Sequence, residues 1–245
     1  MMTVDARATL GVVGGMGPLA AVKFVENLLM STPVEDERDH LRVLLDNDPG
    51  IPDRLAAYRG RGVSPSGAIR ACIEQLARAG ATAVAVPCNA VHHFRGEIVD
   101  DLPVPWLDMI EMVGRSVARR SNRPLVLGAF ITVQEGLYTP YLPGCTYPGE
   151  ELKSEIYRTI EEIKHLAIGN ERARARTPID RLRDLIQAQD CDAVVLACTE
   201  LTLIRELPEV SVPVIDSSLE YARLVSNLLR GASAVSADRS DGKWQ

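Results

Sequence analysis

The sequence lacks long hydrophobic runs, a C-x-x-C motif and an excess of basic residues. A membrane-spanning helix needs about 18 or more consecutive apolar residues, and no stretch of this chain approaches that length. Asp5 also interrupts the N-terminal segment where a signal peptide would carry its apolar core. The sequence therefore predicts a cytoplasmic protein without a membrane partner.

The cysteine count and the net charge exclude two further classes. The five cysteines, Cys72, Cys88, Cys145, Cys191 and Cys198, are odd in number and contain no C-x-x-C pair. This usage is typical of reduced thiols and indicates neither a disulfide framework nor a zinc finger. The net charge of −6 at pH 7 disfavours nucleic acid as a partner, because a surface that follows phosphates usually belongs to a basic domain.

The remaining pattern is that of a folded α/β protein. At roughly 150 residues per domain, 245 residues form one large domain or two small ones. Short β-branched runs alternate with segments of helical periodicity, which predicts parallel sheets covered on both faces. The predicted strands are Thr9–Val13, Arg42–Asp46, Ala83–Val86, Pro124–Ala129 and Ala193–Ala197, and the predicted helices are Leu19–Met30, Ser66–Ala79, Met109–Arg119, Gly149–Leu166, Pro178–Gln189 and Leu219–Leu229.

An internal repeat relates the two halves of the chain. Residues 79–89 align without gaps on residues 189–199, and this alignment superposes Cys88 on Cys198. Each cysteine ends an apolar strand. Since ligands bind at the carboxyl ends of strands in open parallel sheets, the alignment places both thiols where a ligand is expected.

Two further segments extend the repeat. The V-P-W-L-D sequence at 104–108 matches V-P-V-I-D at 212–216, and residues 10–17 have a counterpart at 125–132. We infer two similar α/β lobes related by a pseudo-twofold axis. The first lobe is predicted to comprise residues 1–108 and 217–232, the second residues 109–216, and the polar segment 233–245 is predicted to be disordered.

The chemistry that this duplication favours is proton transfer on both faces of one carbon. Cys88 and Cys198 are each followed by polar residues that open a helical turn, where the helix dipole and free N–H groups favour a thiolate. Two such thiols facing each other suit removal of a proton from one face and delivery to the other. That reaction is a racemisation or an epimerisation.

Two motifs allow other interpretations. Gly15, Gly17 and Ala20 satisfy G-x-G-x-x-A, but the acidic residue that a dinucleotide site requires about 20 positions on is absent there. Without a nucleotide, the turn still offers backbone N–H groups to a carboxylate. His92 and His93 follow Cys88, yet zinc needs three or four convergent ligands, so no metal site is predicted.

At this point the chain resembles the aspartate/glutamate racemases, and the aspartate racemase branch in particular. The resemblance rests on four segments in order: residues 14–18 (G-G-M-G-P), 51–54 (I-P-D-R), 87–89 (P-C-N) and 198–200 (C-T-E). It implies two flavodoxin-like lobes with the active site in the cleft between them. It also implies no pyridoxal phosphate, metal or other cofactor, an amino-acid substrate and a homodimer.

The resemblance assigns roles to individual residues. Cys88 and Cys198 form the acid/base pair, and Glu200 lies beside the second thiol. Arg54 and Lys164 face the side-chain carboxylate of the substrate. The remaining substrate-binding residues are Met16 in the glycine-rich turn, Asn89, Ala90, Thr132 and Thr199.

Departures from the family pattern keep the substrate open. Ala90 stands where the family usually has a threonine, so one hydroxyl donor is missing, and Phe130 stands where smaller residues are typical. The favoured hypothesis is a racemase of aspartate or a close acidic analogue. The alternatives are a racemase or epimerase of another amino acid, a related cysteine-dependent decarboxylase or cis–trans isomerase of diacids, and a catalytically weak ligand-binding protein.

Overall fold

The fold is built on two parallel β-sheets. The computed structural model describes residues 8–168, 183, 186–203 and 210–238. The first sheet has the strand order β2-β1-β3-β4, the second has the order β5-β6-β7, and all strand pairs are parallel. The strands are β1 (Thr9–Val13), β2 (Arg42–Asp46), β3 (Ala83–Ala85), β4 (Trp106–Leu107), β5 (Pro124–Gly128), β6 (Ala193–Ala197) and β7 (Val214–Asp216).

Helices connect the strands, as parallel pairing requires. They are α1 (Pro18–Met30), α2 (Arg54–Tyr58), α3 (Ser66–Arg78), α4 (Arg95–Ile98), α5 (Met109–Val117), α6 (Phe130–Gln134), α7 (Glu150–Ile168) and α8 (Ser217–Asp238). The five predicted strands are confirmed within one residue. The helix predicted over Pro178–Gln189 falls mostly outside the described residues.

The register of the sheets supports the sequence repeat. Val84 pairs with Trp106 in the first sheet, and its repeat partner Val194 pairs with Val214 in the second. The upstream alignment was wrong by one residue, because Leu10 pairs with Ala83 whereas Pro124 pairs with Ala193. In the first sheet β2 pairs with the outer side of β1. At the equivalent place in the second sheet, β5 makes a single parallel bridge, between Leu125 and Thr146.

The repeated aspartates start helices. The Asp108 carboxylate accepts a hydrogen bond from the Glu111 N–H at 2.9 Å, at the start of α5. The Asp216 carboxylate accepts from the N–H groups of Ser218 and Leu219 at 2.7 and 3.1 Å, at the start of α8. Aspartate is a strong N-cap because its oxygen satisfies an amide left free at the helix start. The V-P-x-[LI]-D segments are thus a short strand followed by a capped helix.

The last helix returns to the first lobe. Its Tyr221, fully buried, packs on Phe24 of α1 with ring centroids 5.2 Å apart. The helix is described as far as Asp238, and the disorder of the 233–245 segment stays a prediction. The two sheets fall within the two predicted lobes, and the division at residues 108 and 217 stays a prediction.

No helix in the described ranges combines the length and the apolar character that a membrane crossing requires.

Candidate active site

A cavity of about 250 Å³ opens at the carboxyl ends of the strands. It is reached by the turns after β1, β3, β5 and β6, so residues from both sheets line it. This is the edge where open parallel sheets bind ligands. Of the predicted site residues, the following line the cavity: Met16, Arg54, Cys88, Asn89, Ala90, Lys164, Cys198, Thr199 and Glu200.

The glycine-rich turn brings Met16 into this wall. Gly15 has a φ of +94°, and a Cβ there would lie 1.8 Å from the Asp48 carbonyl oxygen. Only glycine is compatible with both the left-handed conformation and this approach. The Met16 carbonyl oxygen accepts from Arg54 Nη2 at 3.3 Å and lies 3.9 Å from the Cys88 sulfur. The turn therefore links the arginine to the first thiol.

Cys88 lies in a buried but partly electropositive environment. Burial raises the pKa of its thiol above the ordinary value, and the positive charge of Arg54 opposes that rise. Glu200 raises the pKa further, whereas the backbone N–H groups of Val91 and Ala90 lower it. Arg54 and the two backbone N–H groups therefore oppose only part of the rise, and the pKa of Cys88 stays above its ordinary value.

Cys198 differs from Cys88 in its direct hydrogen bond to a carboxylate. Its sulfur donates to Glu200 Oε2 at 3.0 Å. Burial raises the pKa of the thiol well above its ordinary value, and the charge and hydrogen bond of Glu200 raise it further, whereas Lys164 opposes them. A neighbouring carboxylate disfavours a thiolate. Cys198 is therefore held as a protonated thiol.

Asn89 is fixed from two sides. The Tyr138 hydroxyl donates to Asn89 Oδ1 at 2.7 Å, and Asn89 Nδ2 donates to Ser217 Oγ at 3.3 Å. Tyr138 is fully buried. These partners leave one amide hydrogen of Asn89 for a ligand.

Thr132 does not line the cavity. It is fully buried on α6, and within the described ranges its hydroxyl oxygen has no hydrogen-bond partner. Its predicted contact with the substrate therefore stays a prediction.

The two predicted cations are held by different partners. Arg54 donates to the carbonyls of Ile51 and Pro52 at 3.4 and 3.0 Å, and to that of Met16. Lys164 Nζ lies 2.7 Å from Glu161 Oε1, one turn earlier on α7. Such i,i+3 pairs are common on helices, yet here both members also line the cavity.

Both ring nitrogens of His92 hydrogen-bond to backbone groups. Its Nδ1 lies 2.9 Å from the Cys88 carbonyl oxygen, and its Nε2 accepts from the Met109 N–H at 3.1 Å. Burial lowers the pKa of His92, so the ring is neutral with the proton on Nδ1. Among the described residues, no group of three or more His, Cys, Asp or Glu side chains is placed to hold a metal ion.

Sequence reasoning missed part of the wall. Arg59, Leu55, Tyr157 and Ile160 also line the cavity. Leu55 and Arg59 follow the I-P-D-R segment, and this proximity in sequence is the only feature that indicated them. Tyr157 and Ile160 lie on α7 seven and four residues before Lys164. Residues at that spacing share one face of a helix, so the predicted role of Lys164 was the signal that could have found them.

Comparison with known proteins gives the same class. The chain matches the Asp/Glu/Hydantoin racemase family over residues 13–225. It is similar to a broad specificity amino-acid racemase of Bacillus subtilis, with 24% identity over 234 residues that cover 87% of this chain and 95% of the relative.

Solved structures agree with the fold. An aspartate racemase of Picrophilus torridus matches with a TM-score of 0.77 and 30% identity over 93% of this chain and 94% of the other. An aspartate racemase homologue from Pyrococcus horikoshii matches in fold with a TM-score of 0.66 and 22% identity over 92% and 99% of the two chains.

The chain belongs to the Asp/Glu/Hydantoin racemase family. The comparisons confirm three predictions: membership of this family, a two-lobed α/β fold, and the activity class of amino-acid racemase.

Proposed function

We propose that this protein racemises aspartate, or a close acidic analogue, with Cys88 and Cys198 as the two acid/base groups and without a cofactor. The observation that carries the proposal is that these two cysteines, which follow equivalent strands of the two sheets, line one cavity. Two thiols from opposite halves of a cleft supply a proton donor and a proton acceptor for the two faces of one carbon.

The surroundings of the thiols favour one assignment of roles. Burial raises the pKa of both thiols, but Glu200 also accepts a hydrogen bond from Cys198 and raises its pKa well above the ordinary value. Cys88, the more readily deprotonated thiol, then acts as the base, and Cys198 acts as the acid. Cys88 takes the α-proton as its sulfur gains a hydrogen, while Cys198 delivers its proton to the opposite face. The product leaves Cys88 protonated and Cys198 as the thiolate, which is the state that the reverse reaction needs.

The α-carbon must be made acidic by the groups around the carboxylate. Asn89 and Thr199 lie beside the two thiols, and their donors stabilise the negative charge that the carboxylate gains in the transition state. Arg54 and Lys164 supply positive charge for a side-chain carboxylate. Ala90 removes one donor from this set. The similarity to an aspartate racemase supports the acidic substrate.

The test of this proposal is a chiral assay. Purified protein is incubated with L-aspartate alone, and separately with L-glutamate and neutral L-amino acids. D-aspartate is the expected product. Loss of carbon dioxide or conversion of an unsaturated diacid would support the decarboxylase or isomerase alternatives, and tight binding of aspartate without turnover would support a binding protein.

Replacement of Glu200 by glutamine is expected to lower the pKa of Cys198. The carboxylate raises that pKa through its charge and its hydrogen bond, and glutamine keeps the size without the charge. We expect alkylation of Cys198 by iodoacetamide to begin at lower pH in Glu200→Gln, as measured by mass spectrometry of the labelled peptide. Cys145, whose pKa is shifted by burial, Tyr147 and Thr139, serves as the internal reference in the same sample. An unchanged or upward shift at Cys198 would contradict this electrostatic assignment.

Removal of the Tyr138 hydroxyl is expected to weaken substrate binding. Tyr138→Phe leaves Asn89 Oδ1 without its 2.7 Å donor and so loosens the amide that faces the substrate. Because an unmade buried hydrogen bond costs about 1–3 kcal/mol, we expect KM for aspartate to rise about tenfold while kcat changes less. Tyr147→Phe is the matched control, since the Tyr147 hydroxyl accepts from the Tyr138 N–H at 3.1 Å and does not reach Asn89. Equal effects of the two variants would argue against a specific role for Tyr138.

We further propose that the protein is a cytoplasmic homodimer. The reduced state that both catalytic thiols need supports a reducing compartment. The family resemblance supports the dimer, and analytical ultracentrifugation tests it.

A further inference from the structure

Tyr157, on the cavity wall, carries a hydroxyl that lacks a partner. This tyrosine belongs to α7 and lines the cavity. Its hydroxyl oxygen is buried, and it has no hydrogen-bond partner among the described residues. Burial raises the pKa of Tyr157 to about 12, so at neutral pH the phenol keeps its proton and is a donor. Buried hydroxyls are normally satisfied, so this one points to a ligand that supplies an acceptor.

A second donor lies on the same stretch of wall. The Arg59 guanidinium carbon lies 4.9 Å from the centroid of the Phe130 ring, and the Tyr157 ring lies 5.6 Å from the same centroid. All three residues line the cavity. Arg59 stacks on this ring and makes no ion pair with any residue that the structure describes. Both donors therefore lie beside Phe130, and neither has an acceptor in the part of the chain that the structure describes.

Arg59 and Tyr157 are grouped around Phe130, whereas Arg54 and Lys164 are associated with the thiols. Arg54 donates to the Met16 carbonyl oxygen, which lies 3.9 Å from the Cys88 sulfur. The charge of Lys164 acts on the Cys198 thiol. The cavity thus has an inner pair of cations beside the thiols and an outer pair of donors around an aromatic ring.

We infer that Tyr157 and Arg59 form an outer subsite that binds the terminal carboxylate of a dicarboxylic amino acid with a side chain longer than that of aspartate, its methylene groups packed on Phe130. A guanidinium and a phenol together match the two oxygens of a carboxylate. Phe130, which is larger than the residue typical of the family, supplies the apolar surface for the extra methylene groups. This inference rests on the proposed function only for the orientation of the substrate.

The test compares a long and a short ligand in wild-type protein, Tyr157→Phe and Arg59→Gln. Calorimetry with racemic 2-aminoadipate and racemic aspartate avoids any change of ligand composition through racemisation. Because a hydrogen bond to a charged group is worth about tenfold or more in affinity, we expect each variant to bind 2-aminoadipate at least about tenfold more weakly while its aspartate affinity changes by less than about twofold.

Tyr58→Phe is the matched control. The Tyr58 ring also contacts Phe130, with centroids 6.0 Å apart, but its hydroxyl already donates to Glu135 and the residue does not line the cavity. The ratio of the two affinities should stay at the wild-type value in this variant.

The outcomes separate this inference from the proposed function. Equal weakening of both ligands, no weakening of either, or failure of wild-type protein to bind 2-aminoadipate would overturn the outer subsite, even if aspartate is racemised. The expected selectivity in a protein that racemises nothing would support the subsite and overturn the proposed function.

Discussion

Cys88→Ala and Cys198→Ala should each lower the rate of aspartate racemisation by about 10²–10⁴-fold, the range for loss of a positioned acid or base. In a two-base reaction both thiols act in every turnover, one as the base and the other as the acid. Neither can replace the other in the proposed mechanism, because it assigns them to opposite faces of the α-carbon. The rate of D-aspartate formation from L-aspartate, measured by chiral chromatography, checks this result.

Cys145→Ala is the control for the loss of a thiol. Cys145 is half-buried and does not line the cavity, so this variant should keep the wild-type rate. Circular dichroism establishes that all three variants are folded. A folded Cys88→Ala or Cys198→Ala protein that keeps most of its turnover would exclude the two-base mechanism.

Gly15→Ala is expected to destabilise the protein and to displace the first loop of the site. An alanine Cβ would lie 1.8 Å from the Asp48 carbonyl oxygen in a backbone conformation with φ of +94°. The left-handed conformation costs about 1–2 kcal/mol and overpacking about 1–3 kcal/mol more, so we expect the free energy of unfolding to fall by roughly 2–5 kcal/mol. Urea titration measures it.

Gly60→Ala separates the two causes. Gly60 also has a positive φ, +66°, but a Cβ there meets nothing within 4 Å. This variant should lose only the conformational cost of about 1–2 kcal/mol and keep the wild-type racemisation rate. Equal losses in Gly15→Ala and Gly60→Ala would show that the approach of Asp48 does not constrain the loop.

Much of the fold could be predicted from the sequence because buried parallel strands are continuous apolar runs. The strand Ala193–Ala197 is found with the predicted bounds. The two-residue β4 and the three-residue β7 were recognised only as repeated segments, since runs that short carry no periodicity. The repeat alignment was correct around Cys88 and Cys198 because identical residues fixed the alignment of these two segments.

Site residues that belong to a sequence motif could be predicted, whereas residues that reach the cavity only through tertiary packing could not. Cys88 and Cys198 each follow a predicted strand, so the topology of parallel sheets brings them to one edge. Tyr157 lies outside every motif, and its position seven residues before Lys164 on α7 was the one indication that it shares the face of that predicted site residue. Thr132 illustrates the converse, since the family resemblance assigned it to the site but it does not line the cavity.

The electrostatics also required the structure. The sequence shows Glu200 two residues after Cys198, but only the coordinates show that its carboxylate accepts from that thiol at 3.0 Å. The link between Arg54 and Cys88 through the Met16 carbonyl joins three segments that are distant in sequence. These contacts make the two thiols unequal at rest although the repeat makes them equivalent in fold.

The most direct measurement of the central claim is deuterium incorporation during the first few per cent of turnover. Pure L-aspartate is incubated with the protein in D₂O without added cofactor, and the two enantiomers are separated and analysed by mass spectrometry. The account predicts deuterium at the α-carbon of D-aspartate and none in the remaining L-aspartate, because one thiol removes the proton and the other delivers a solvent-derived deuteron. D-aspartate without deuterium, equal deuterium in both enantiomers, or no D-aspartate at all would contradict it.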